Sequence, residues 1–201
     1  MSIKITTLVE NSVYGKGLQG EHGLSLLVDT GEHRLLFDTG ASDLFIRNAR
    51  ILGIDLKEVD FLVLSHGHRD HTGGLHHFLA VNDKAQVVCK RELFQLKFKD
   101  ERETGVMQPD ALDGTRFRFV DEVTELCRGV FVFPQLPVTD EEDTHFEHFF
   151  TWAEGRKQAD TFTDELALVL KQGAEVSVLS ACSHRGITNI IRAVQEYFPQ
   201  T

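Results

Sequence analysis

A chain of 201 residues, 41% hydrophobic and 26% charged, has the makeup of a water-soluble globular protein with one substantial core, and a single domain over 1–201 is expected. The formal net charge is −10 and no run of Lys and Arg forms a stripe able to follow a phosphate backbone, which argues against a nucleic-acid partner. No segment approaches the roughly 18 apolar residues that span a membrane.

The chain opens on Ile3 to Val9, which alternates like a strand and lacks the apolar core of a secretion signal. Together with three widely spaced cysteines, Cys89, Cys127 and Cys182, read as reduced thiols, this points to a cytoplasmic setting. Leu24 to Val28 and Arg34 to Phe37 form a hairpin about Asp29-Thr30-Gly31-Glu32. The return strand runs into Asp38-Thr39-Gly40, setting a carboxylate at the rim of a sheet. Ser42 is placed to cap a helix whose stripe is Leu44, Phe45, Ile46, Ala49, Ile51 and Leu52, ending at Gly53.

Phe61 to Leu64 reads as a buried strand, and Ser65 to His71 as the loop leaving it. His66, His68, Asp70 and His71 put four ligand-type side chains within six residues, a metal-binding pattern. His66 and His68, two apart, can hold one ion. Asp70 and His71 diverge from that pair and could hold a second about 3.5–4 Å away. Imidazoles and carboxylates suit zinc, and also manganese, iron or magnesium to differing degrees, so ligand type leaves the metal and the number of ions, one or two, open. Thr72 is expected to cap the helix that follows, where Leu75, Phe78, Leu79 and Val81 give a buried side and His76 and His77 are ordinary helix residues.

Ala85 to Cys89 reads as a strand and Arg91 to Lys99 as a short helix. Residues 100–114 read as a charged loop, and Phe117 to Val120 and Val130 to Phe133 as strands of a second sheet. Residues 134–163, acidic at 140–143 and aromatic at Phe146, Phe149, Phe150 and Trp152, read as a long irregular segment, either a flap over the substrate or a solvated loop. His145 and His148 there are taken as ordinary. Leu166 to Leu170 and Glu175 to Ser180 form a hairpin running into Cys182-Ser183-His184, ahead of a last helix over 187–198. His184 supplies the further ligand that His66 and His68 need, and Cys182 is a second choice.

Ser65-His66-Gly67-His68-Arg69-Asp70-His71-Thr72-Gly73-Gly74 resembles the His-x-His-x-Asp-His signature of the metallo-β-lactamase superfamily. That resemblance implies an α+β fold, a four-layer αββα sandwich of two mixed β-sheets with metals at one edge. By the same likeness Asp38, in an Asp-Thr-Gly element, orients a ligand from behind. Glu21 to Leu27, Ser42 to Phe45, Asp164 to Leu168 and Cys182-Ser183-His184 further resemble the branch that contains 7,8-dihydropterin-6-methyl-4-(β-D-ribofuranosyl)aminobenzene 5′-phosphate synthase. Where superfamily hydrolases carry a further histidine this chain offers Asp164 or Glu165, and Cys182 stands about where a bridging aspartate would.

The resemblance implies a metal-dependent hydrolase or transferase acting on a small, phosphorylated substrate, with the metal as Lewis acid or source of hydroxide and Asp70 also holding the attacking water. His22, Lys90, Arg91 and Arg185 read either as phosphate contacts or as plain surface residues. The alternatives are a generic hydrolase of thioesterase, lactonase or phosphodiesterase type, and a non-catalytic metal or ligand sensor. Substrate contacts and oligomeric state are not set by the sequence.

Overall fold

The computed structural model describes residues 3–106 and 114–200. In the N-terminal half the elements are β1 (Lys4–Val9), β2 (Ser25–Asp29), β3 (Arg34–Phe37), α1 (Leu44–Ile51), β4 (Phe61–Val63), α2 (Arg69–Thr72), α3 (Leu75–Val81) and β5 (Gln86–Cys89). There follow β6 (Lys97–Lys99), β7 (Arg102–Glu103), β8 (Phe117–Phe119), β9 (Thr124–Cys127), β10 (Val130–Phe133) and β11 (Phe149–Ala153). The chain ends with β12 (Arg156–Ala159), β13 (Ala167–Gln172), β14 (Glu175–Leu179) and α4 (Ile187–Tyr197).

Two compact units emerge. The first comprises Met1–Leu64, His68–Val88 and Val106–Arg118, the second Ser65–Gly67, Cys89–Gly105 and Phe119–Thr201. The first is built on a mixed six-stranded sheet of order β1-β2-β3-β4-β5-β8. Its central strands are parallel, with Leu35 opposite Phe61 and Phe61 opposite Gln86. Such strands are covered on both faces and read as unbroken apolar runs, as Leu35, Leu36, Phe37, Leu62 and Val63 do, all fully buried. Phe45 of α1 and Phe78 of α3 are equally buried in this unit.

The second unit carries two antiparallel sheets, β14-β13-β10-β9 and β12-β11-β6-β7. Phe133, Leu136, Ala167 and Val169 form a core with Ile190 and Val194 of α4. So the described strands fall into three sheets, one mixed and two antiparallel.

Several local expectations are corrected. Phe117 to Phe119 is the edge strand beside β5, not part of a second sheet. Residues 91–99 are not one helix: a 3-10 turn over Arg91–Phe94 gives way to β6, where Phe98 pairs with Phe150. The 134–163 segment contains the hairpin β11–β12, closed by Glu154 and Gly155 with φ of 53° and 75°. Positive φ at both central residues is the turn geometry that matches strand twist. Ile51 and Leu52 are exposed, so the buried stripe of α1 is narrower than expected. Part of the 100–114 loop, residues 107–113, lies outside the described residues. Among the described residues no helix is long and apolar enough to cross a membrane.

Candidate metal centre

In the first unit the site begins where β3 and β4 end in register, Phe37 opposite Val63. Beyond the carboxyl ends of parallel strands, side chains can converge on a ligand. Asp38 is fully buried there with φ of 60°, a left-handed conformation that a non-glycine residue keeps only when its surroundings hold it. Its amide donates to the Val63 carbonyl at 2.9 Å. Its carboxylate accepts from His71 Nδ1 at 2.7 Å. The His71 carbonyl in turn accepts from the Thr39 amide at 2.8 Å and the Thr39 hydroxyl at 3.0 Å. The strain at Asp38 thus aims one carboxylate at one imidazole.

Asp70 and His71 sit on the four-residue helix α2 rather than in an open loop. Asp70 Oδ2 lies 3.3 Å from His71 Nε2 and 3.3 Å from His22 Nε2. Burial alone would raise its pKa, but the hydrogen bond from His71 and the charges of His71 and His68 outweigh it and hold the group down to about 2. Asp70 is therefore a carboxylate throughout the neutral range. Thr72 does not cap the next helix as expected. Its hydroxyl donates to the His68 carbonyl at 3.0 Å, closing α2, and α3 begins at Gly74 without a side-chain cap.

In the second unit Ser65 to Gly67 is held by residues far along the chain. The Leu166 amide donates to the Ser65 carbonyl at 2.9 Å and the Gly67 amide to Asp164 Oδ2 at 2.6 Å. Asp164 Oδ1 accepts from Lys97 Nζ at 2.9 Å, and Asp160 Oδ2 from the same ammonium at 2.7 Å. Burial pushes the Asp164 carboxyl up, while the two carboxylates keep the Lys97 ammonium charged against burial. A Cβ on Gly67 would run into the Leu93 carbonyl and come within 2.9 Å of Lys97 Cε. Gly67→Ala is therefore expected to destabilise the protein by roughly 1–3 kcal/mol, read by urea denaturation; unchanged stability would deny the close approach.

The His66 and His184 rings lie 5.2 Å apart, centroid to centroid, inclined at 70°. Donor atoms of His184 and Cys182 are each within 4.8 Å of one on His66. The His184 ring stacks on Phe162 at 3.7 Å and 11°, with Phe149 edge-on at 5.0 Å. His184 Nδ1 donates to the His145 carbonyl at 3.0 Å. Glu165 clamps the backbone of the same turn, its two oxygens accepting the amides of His184 and Arg185 at 2.8 Å each. Burial pushes the Glu165 carboxyl up to about 7, with the Arg185 and His184 amides opposing that rise.

Asp164 and Glu165, candidates for metal ligation, each accept a hydrogen bond from a protein donor at both oxygens. Cys182 is exposed, whereas Cys89 is buried, its thiol pushed up to about 12 by burial and by Asp164. Brief alkylation of the native protein should label Cys182 and spare Cys89, as peptide mass spectrometry would show. Of the basic side chains, Lys90 and Arg185 donate to backbone carbonyls, and Arg91 lies 4.4 Å over the Phe119 ring. Lys97, Phe162 and the His145 carbonyl were not legible as site elements. A lysine in an alternating run carries no sign that it will be buried.

A family model described as the metallo-beta-lactamase superfamily matches residues 18–164. The chain belongs to this superfamily. It is 28% identical to 7,8-dihydropterin-6-methyl-4-(beta-D-ribofuranosyl)-aminobenzene-5'-phosphate synthase of Methanocaldococcus jannaschii, over 95% of this chain and 71% of that one. A solved metal-dependent hydrolase of the beta-lactamase superfamily, Tm1679, is 34% identical with a TM-score of 0.81, covering 97% of this chain and 72% of its own. A quorum-quenching N-acyl homoserine lactone lactonase, 14% identical with a TM-score of 0.55 over 88% of this chain and 75% of its own, shares the fold alone. The α+β superfamily fold expected from the motif is thereby borne out.

Proposed function

We propose that this superfamily member is a metal-dependent enzyme in which His66, His68 and His184 hold one divalent ion, zinc by preference, and Asp70 and His71 serve a second. The whole chain then works as a single domain. The observation that carries the reading is how the imidazoles are oriented. His71 Nδ1 is held by Asp38, His184 Nδ1 by the His145 carbonyl, and His66 Nδ1 lies 2.9 Å from Ser65 Oγ. In a neutral ring whose Nδ1 proton goes to the Asp38 carboxylate or the His145 carbonyl, Nε2 carries the lone pair that an ion would take, in place of the proton that His71 otherwise shares with Asp70. The donor set of buried imidazoles with a carboxylate suits zinc, and manganese or iron less well.

Such an ion would supply Lewis acidity and lower the pKa of bound water toward ~7. The protein's own share is positional. Asp70, ionised at neutral pH, orients water or accepts its proton, and Asp38 keeps His71 in one tautomer. The stack of Phe162 on His184 shields that ring from solvent. The likeness to the dihydropterin synthase supports a transfer reaction on a small phosphorylated substrate, and the likeness to Tm1679 supports hydrolysis. A cytoplasmic setting fits three cysteines that form no disulfide.

The test is elemental analysis of protein purified without added metal, followed by assays of the metal-replete protein on aryl phosphates, lactones and thioesters. Two equivalents per chain, with turnover lost in Asp70→Asn, support the reading. A wild type that takes up no divalent metal would sink it, and stoichiometric metal without turnover would favour a sensor. Asp38→Asn should weaken metal affinity roughly ten- to a hundredfold while leaving the fold intact, measured by competition with a chelating dye.

A further inference from the structure

A cavity of about 660 Å3 opens within the second unit, walled by Phe133, Leu136, Ala193 and Tyr197 and carrying the cations Lys90 and Arg185 together with one carboxylate, Glu196. That volume lies within the ~300–1,000 Å3 usual for small-molecule sites, which likewise pair apolar walls with a few polar groups. On a chain of net charge −10, two cations sharing one cavity call for a reason. Carboxylates stand near both heads, Glu92, Asp121 and Asp164 about Lys90 and Asp164 and Glu165 about Arg185, yet none of them hydrogen-bonds to either head.

Both heads are fixed by neutral partners. Lys90 Nζ donates to the Pro134 carbonyl at 2.9 Å, Arg185 Nε to the Leu136 carbonyl at 2.6 Å, and Arg185 Nη1 to the Thr161 carbonyl at 2.6 Å. These bonds orient the cations without neutralising them. An ammonium has three N–H donors and a guanidinium five, so N–H groups on Lys90 Nζ and Arg185 Nη2 have no hydrogen-bond acceptor among the described residues.

We propose that this cavity binds a small aryl phosphate, its anionic group against Arg185 and Lys90 and its ring against Phe133, Leu136 and Tyr197. An anion there engages the remaining donors of the two cations, and the apolar walls bury the ring. The inference goes beyond the metal-centre reading and stands without it.

Isothermal titration of the full chain with phenyl phosphate tests it, with inorganic phosphate and benzylamine as comparison probes. The titration is repeated on chelator-treated protein and on His66→Ala, so that binding to a metal ion is set apart. The expected result is saturable binding of phenyl phosphate that persists in His66→Ala. It should weaken at least about tenfold in Arg185→Met, since a charge-assisted hydrogen bond contributes about 1.5–3 kcal/mol. Ala193→Leu, which fills the cavity without touching a charge, should weaken it similarly, with thermal melting showing that each variant is folded. Absence of saturable binding, binding lost in His66→Ala, binding unaffected by Ala193→Leu, inorganic phosphate as tight as phenyl phosphate, or preference for benzylamine would each overturn the proposal.

Discussion

Lys97→Met is expected to cost roughly 3–5 kcal/mol of folding stability, the usual consequence of removing one partner from a buried ion cluster. Lys97, Asp160 and Asp164 are each at most 2% exposed, so the two carboxylates left behind would have neither counter-ion nor water. In a chain of this size each kcal/mol moves the melting temperature by roughly 2–4 °C, so a drop of roughly 6–20 °C should be seen by calorimetry. The cause can be separated from simple loss of packing. Adding Asp160→Asn and Asp164→Asn to Lys97→Met removes the stranded charges, and the triple variant should be more stable than the single one. A triple variant no more stable than Lys97→Met would show that shape, not charge, sets the cost.

His184→Ala should abolish metal uptake at the histidine site while the protein stays folded. The imidazole is not what holds its turn in place, because Glu165 grips the turn through backbone amides that alanine retains. The variant should therefore keep most of its cooperative melting and lose metal by elemental analysis, with turnover at background. Phe162→Ala offers a graded comparison, since it removes the ring stacked on His184 but no donor atom. Metal retained at the wild-type level in His184→Ala would remove this residue from the centre and return weight to Cys182.

The elements nearest the motif were legible because local pattern and tertiary environment agree there. The run from Phe61 to Leu64 is apolar, and parallel strands covered on both faces demand that. What stayed hidden depends on partners distant in sequence. Lys97 gives no local sign of burial, because the two carboxylates that draw it in lie more than sixty residues on. Residues 91–99 have the apolar spacing of a helix, but pairing of Phe98 with Phe150 makes the later part a strand. The hairpin within 134–163 was masked by acidic residues and by a Glu-Gly turn, a weaker signal than Asn-Gly or Asp-Gly. The bonds that Asp164 and Glu165 accept from Gly67, Lys97, His184 and Arg185 were hidden because their donors lie far away in sequence.

The anchoring of Gly67 by Asp164 also bears on the order in which the molecule assembles. The two residues are 97 positions apart, and loop closure over such a span adds an entropic cost to be met before the contact forms. A chain emerging from the ribosome can pair β3 with β4 early, yet the bonds from Leu166 to Ser65 and from Gly67 to Asp164 form only after residues 164–166 have been synthesised. Fragments ending before that point should expose a histidine-rich segment still unshaped by its partners. Metal capture by such a nascent chain would be of the loose kind any flexible histidine cluster shows, with selectivity arising only once the last third of the chain has folded.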